Sequence, residues 1–195
     1  QLVCNVIDTT LTSENESIQL NSIPRQNRLN ELEFYFPISE INPEKLSSVF
    51  DKYSDKANKE RYVSKLNQLN FRDISGFLHG FIDMVFIANN KYYIVDWKSN
   101  HLGYSCEQYS ATQLENVMVE NYYFLQYTIY SVALNRYLGT RLPDYRYEKD
   151  FGGVFYLFVR GMNPQNDNNY GVFYDKVPKQ LIDELSMLLV KGKAD

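Results

Sequence analysis

The chain has 195 residues, 44% of them hydrophobic and 15% aromatic, which is enough for one domain with a real core. Twenty basic against twenty-four acidic side chains leave a net charge of −4, which argues against a protein that grips nucleic acid by bulk positive charge. Two cysteines, Cys4 and Cys106, form no CxxC motif; they exclude a four-cysteine iron–sulfur cluster and fit a reducing compartment better than a disulfide framework.

Taken in chain order, residues 1–30 are polar, Ser/Thr/Asn-rich and weakly periodic, and they read as a linker or peripheral segment ahead of a domain over 31–195. The alternating, aromatic stretch from Glu31 to Ile38 predicts a strand ended near Pro37. Residues 43–53 predict a short helix with Pro43 in its first turn, and the charged residues 54–70 a loop or exposed helical insert. The runs 77–88 and 91–97 are β-branched and aromatic and are separated by Asn89-Asn90, a pair that tolerates the positive φ of a two-residue hairpin turn.

Between Gln113 and Tyr137 the apolar positions fall at helical spacing, with Gly139 where a helix commonly stops. Residues 151–159 form a continuous apolar run, as in a buried strand, and Leu181, Leu185, Leu188 and Leu189 predict an amphipathic closing helix. This order of elements predicts an α/β domain with a mixed central sheet flanked by helices. No apolar run reaches the ~18 residues of a membrane span and no signal-peptide pattern opens the chain, so no membrane partner and a cytoplasmic location are expected.

The hairpin carries the chemistry. A tight turn at Asn89-Asn90 sets Asp83 directly opposite Asp96, and alternation puts Lys98 on the same face. Val85 and Ile94 share that face and Ile82, Met84, Phe86, Tyr93, Val95 and Trp97 take the other, so the hairpin is expected to be covered on both sides. Two opposed carboxylates in such surroundings repel and are poorly solvated; a divalent cation relieves both penalties, and hard oxygen ligands suit Mg²⁺ or Mn²⁺. A lysine beside such a pair supplies charge for phosphodiester hydrolysis. The residues alone leave a second reading open, in which Asp83 and Lys98 form a buried ion pair and Asp96 ends the strand.

The stretches GFLHGFIDMVF and YYIVDWKSNHLG, read together, resemble the RecB-type nuclease domain of the PD-(D/E)xK superfamily. FLQYTIYSVALNRYL is similar to the QxxxY helix of that family, DYRYEKDFGGVFYLFVRGM to the strand after it, and ELEFYFPIS to the strand before the hairpin. The likeness runs in order from about residue 28 to the C-terminus. It implies a restriction-endonuclease-like core and a Mg²⁺-dependent deoxyribonuclease of the exodeoxyribonuclease V type, with Ca²⁺ as a possible further ion. The parent would be a helicase–nuclease subunit in double-strand-break repair and recombination, with DNA and other subunits of its complex as partners.

Position by position, the resemblance makes Asp83 and Asp96 metal ligands and Lys98 the catalytic lysine. It adds the backbone carbonyl of Trp97 as a further ligand, and Gln126 and Tyr130, four apart on one helical face, as residues that contact DNA or brace the site. The family also uses a histidine on an earlier helix. No histidine precedes His79 and the chain opens on Gln1, so a piece of a longer subunit without that helix is expected. His79 and His101 are poor substitutes, a hydrogen-bonded or exposed histidine being the ordinary outcome. Glu31 and Glu33 read as exposed edge residues, and Arg136 and Arg160 have charge suited to phosphates but no spacing that places them. The rival function is a catalytically impaired DNA-end-binding or subunit-docking module, which the reduced ligand set favours and the intact D…DxK opposes.

Overall fold

The computed structural model describes residues 2–14, 16–165 and 169–189. In order they form α1 (Leu2–Asp8), β1 (Thr10–Thr12), β2 (Ser17–Gln19), β3 (Arg28–Ile41), α2 (Pro43–Tyr53), α3 (Lys59–Leu66), β4 (Ile74–Ala88) and β5 (Lys91–Lys98). Then come α4 (Ala111–Glu120), α5 (Tyr123–Arg141), α6 (Tyr147–Asp150), β6 (Phe151–Phe158), β7 (Val172–Asp175) and α7 (Lys179–Leu189), with three short 3-10 turns between elements. A five-stranded sheet has the order β3-β4-β5-β6-β7, while β1 and β2 pair separately. Strand β5 is antiparallel to β4 and parallel to β6, so the sheet is mixed and the fold is α/β, as the pattern of elements predicts. Among the described residues no helix is long and apolar enough to cross a membrane.

The chain divides into two compact units. The first comprises residues 1–32, 82–118 and 148–176. Its centre is β6, in which every residue is buried, next to the buried stretch Tyr93–Asp96 of β5. One core joins Met84, Phe86, Tyr93, Val95, Phe155 and Leu157 to Val6, Leu11, Ile18, Leu20 and Ile23. The segment 1–30, expected as a linker or peripheral stretch, therefore carries a helix and a hairpin whose apolar side chains are part of this core. Their spacing in short elements of seven and three residues is too brief to show a period. Glu16 fastens the hairpin in place: its carboxylate accepts from Asn89 Nδ2 at 2.8 Å, Lys91 Nζ at 2.6 Å and the Tyr93 hydroxyl at 3.0 Å.

The second unit comprises residues 33–81, 119–147 and 177–195. Asn42 caps α2 by accepting the Lys45 N–H at 2.9 Å, with Pro43 in the first turn as expected. Phe50, Tyr62 and Phe124 pack ring on ring, Tyr62 and Phe124 stacked at 4.2 Å. Residues 59–66 thus form a helix with a buried face, Tyr62 and Leu66, rather than an exposed insert. Strand β3 runs through Pro37 to Ile41 instead of ending there; it lies at the sheet edge, where a residue without N–H breaks no ladder.

Two further differences have local causes. The helix expected over Gln113–Tyr137 is two helices, because Tyr122 takes the left-handed conformation (φ 57°) between α4 and α5. At the other end α5 continues past Gly139 to Arg141, a glycine inside a helix being tolerated. Strand β7, four half-buried residues, has no counterpart in the sequence reading.

Candidate active site

Asn89 and Asn90 both have left-handed φ, 51° and 62°, and they join β4 to β5 in the expected register, with Ala88 opposite Lys91 and Met84 opposite Val95. The paired ladder ends at Met84. In the same register Trp97 would face Ile82, but its N–H instead donates to Asp83 Oδ2 at 2.9 Å. A carboxylate has been inserted where a strand carbonyl would stand. Asp83 is half-buried there.

Asp96 is 3% exposed, in the centre of the sheet. Its Oδ2 lies 2.7 Å from Lys98 Nζ, so these two side chains share a face, as alternation requires. The ion pair that the sequence leaves open is Asp83 with Lys98; the structure instead pairs Lys98 with Asp96 and gives Asp83 a main-chain donor. Three influences act on the Asp96 carboxyl. Burial, the largest, pushes it above its ordinary value; the Lys98 ammonium pulls it down; the Asp83 charge pushes it up again.

The parallel register of β5 and β6 sets Tyr156 beside Asp96 and Phe158 beside Lys98. Lys98 Nζ lies 4.9 Å from the centroid of the Tyr156 ring, so the ammonium is held between a carboxylate and a π face. Tyr156 was not singled out from the sequence. Within FGGVFYLFV nothing marks it from its apolar neighbours, and only strand pairing reveals it. Trp97, expected on a covered face, is 37% exposed; it stays paired with Leu157 of β6 but lies past the end of the β4 ladder.

Gln126 and Tyr130 lie in the second unit and pair with one another, Gln126 Nε2 donating to the Tyr130 hydroxyl at 2.9 Å. They line a cleft of about 420 Å³ with Phe34, Leu78, Gly80 and Tyr122. His79 Nε2 is 2.9 Å from Glu33 Oε1 on the neighbouring strand, an exposed pair that gives the histidine its ordinary partner. His101 meets Tyr104 edge-on at 4.9 Å. Arg136 lies over Phe36 and donates to Ser186 Oγ at 3.4 Å, while Arg160 Nε donates to the Ser99 carbonyl at 2.9 Å.

Among the described residues no group of three or more His, Cys, Asp and Glu side chains gathers as a metal cluster. The donor set that exists is two carboxylates, one buried and destabilised by the other, with the main-chain carbonyl of Trp97 between Asp96 and Lys98 in sequence. It fits a hard cation that keeps several waters and binds through one or two carboxylates plus substrate phosphate, which is how magnesium is usually held. It does not fit an ion that demands a full protein cage.

No family model matches the chain. It is similar to proteins described as "RecBCD enzyme subunit RecB". The identity is 39% over 185 residues with that of Buchnera aphidicola, 39% over 180 with that of Haemophilus influenzae and 37% over 150 with that of Escherichia coli. These matches cover 95%, 92% and 76% of the chain and 15%, 14% and 12% of the respective relatives, so the chain spans about a seventh of the length of the proteins it matches.

Proposed function

Because the chain belongs to the RecB family, we propose that it is the nuclease domain of a RecB-type helicase–nuclease subunit and hydrolyses DNA phosphodiester bonds with a divalent metal ion. The observation that carries this reading is the convergence of Asp83, Asp96 and Lys98 at the end of the β4–β5 hairpin. Asp83 and Asp96 would hold the ion, Mg²⁺ first and Mn²⁺ or Ca²⁺ as alternatives, with the Trp97 carbonyl as a further ligand. Bound there, such an ion supplies Lewis acidity to the phosphoryl oxygen and to the attacking water.

The chain's own groups do the rest. The Lys98 ammonium is fixed by Asp96 and Tyr156, so it offers positive charge in one place as charge develops on the phosphate oxygens. The buried setting excludes bulk water and strengthens that interaction. Gln126 and Tyr130 are assigned to support of DNA or of the site. In the full subunit the strands to be cut would be delivered by a helicase motor, within a complex that processes double-strand breaks for recombination and repair.

One observation favours a second reading, a catalytically impaired DNA-end-binding or subunit-docking module. Lys98 already neutralises Asp96 without any metal. Titration calorimetry with Mn²⁺, run beside a nuclease assay with Mg²⁺, separates the two. A nuclease gives a heat that Asp83→Asn removes, together with DNA cleavage that Asp96→Ala abolishes. Cleavage left intact by Asp96→Ala rejects the proposed site, and the absence of both heat and cleavage supports the docking module.

A further inference from the structure

Beyond β5, residues 99–105 form a loop that is held at several points. The Tyr109 hydroxyl accepts the Leu102 N–H at 3.1 Å and donates to the Asn100 carbonyl at 3.4 Å. The Tyr109 ring lies flush on Gly161, where an added methyl carbon would come within 2.3 Å of it. Beyond β6, the Val159 N–H donates to the Lys98 carbonyl at 3.0 Å and Arg160 Nε to the Ser99 carbonyl at 2.9 Å. The loop after β5 and the turn after β6 are thus one anchored rim at the carboxyl ends of two parallel strands, the usual position of a ligand site in an α/β sheet.

Two groups on that rim face solvent. Tyr104 is 99% exposed and meets His101 edge-on at 4.9 Å, so almost all of its ring is left to solvent. Arg160 is exposed and uses one of five N–H donors on Ser99, its one recorded partner among the described residues. We propose that this rim binds one nucleotide unit of single-stranded DNA, the Arg160 guanidinium on a phosphate and the Tyr104 ring on an adjoining base. The inference rests on the nuclease reading above and adds a substrate subsite to it.

The chemistry matches at both groups. A guanidinium anchored through Nε keeps its planar amino edge for bidentate contact with phosphate oxygens. A phosphate brought toward two carboxylates in a chain of net charge −4 needs a local cation. An exposed ring offers a sequence-tolerant stacking face, and bases present their faces to it only when unpaired.

The test is fluorescence anisotropy of a labelled oligothymidylate with the full chain in EDTA, titrated over a range of KCl, with Mg²⁺-dependent cleavage followed in parallel. Arg160→Gln should lower the slope of log affinity against log salt by about 0.7, the value for one single-strand phosphate contact, and Arg160→Lys should keep it. Tyr104→Ala should weaken binding about tenfold without changing the slope, and Tyr104→Phe should restore it. A purely structural role for Arg160 would leave the slope unchanged. Wild-type binding that Arg160→Gln and Tyr104→Ala both reproduce overturns the rim alone, whereas a wild-type chain that neither binds nor cuts the strand overturns the nuclease reading with it.

Discussion

The Asp83 carboxylate takes the main-chain N–H of Trp97 at 2.9 Å, a donor that the β4–β5 register would otherwise give to the carbonyl of Ile82. One side chain therefore joins two strands and faces the candidate site. Asp83→Asn keeps a carbonyl for that N–H and removes only the charge. It is expected to match the parent within about 1 kcal/mol in urea unfolding while losing cleavage. Asp83→Ala should lose cleavage and also about 1 kcal/mol or more of stability, because the donor is left to water. An Asp83→Asn protein that cuts DNA normally would remove this residue from the site.

The Lys98–Asp96 pair is almost dry, its side chains 12% and 4% exposed. Removing one partner strands the other, which in buried pairs costs roughly 3–5 kcal/mol. Asp96→Asn and Lys98→Met are each expected to be destabilised on that scale, toward the lower end because Lys98 keeps some water. The double variant should lose clearly less than the sum of the two. Denaturant unfolding of the four proteins measures the coupling; additive losses would show that the pair is not an energetic unit.

The Tyr156 ring lies 4.9 Å from the Lys98 ammonium, and that π contact needs the ring alone. Tyr156→Phe is therefore expected to keep kcat near the parent value. Tyr156→Leu, which removes the π face and about 0.5–2 kcal/mol of cation–π attraction, should lower kcat severalfold with little change in KM. Rescue by phenylalanine is the decisive comparison, since a variant that merely loosened the core would not discriminate between ring and hydroxyl.

Glu16 provides a pH signature of the fold away from the site. Hydrogen bonding from the Lys91 ammonium, the largest influence, holds its carboxyl below the ordinary 4.5; burial opposes it, and the Asn89 and Tyr93 hydrogen bonds add to the lowering. A carboxylate with a depressed folded pKa stabilises fully above its unfolded value, and that contribution is lost as pH falls through the folded one. The stability gap between the wild-type chain and Glu16→Gln, on the order of 1–2 kcal/mol, should stay constant from pH 7 to about 5.5 and close below about 4.5. A gap that widened on acidification would contradict the sign of the shift.

What the sequence by itself determined is what local rules control. Asn89-Asn90 with positive φ sets the hairpin register, strand alternation brings Asp96 and Lys98 to one face, and the Asn42-Pro43 start opens α2 where expected. Each depends on residues within a few positions of one another, so a period or a turn preference can be read directly. Only the tertiary structure decided the rest. That Tyr156 stands beside Asp96, that Arg160 reaches Ser99, and that Leu11 and Ile18 enter the core all follow from pairing between segments far apart in the chain. No spacing encodes such neighbours, because burial rewards the assembled set of apolar faces and leaves no periodic trace of which strand lies next to which. The break at Tyr122 is of the same kind: its residues favour a continuous helix locally, and the packing of Tyr122 on Lys65 and Phe124 accompanies the turn that divides it.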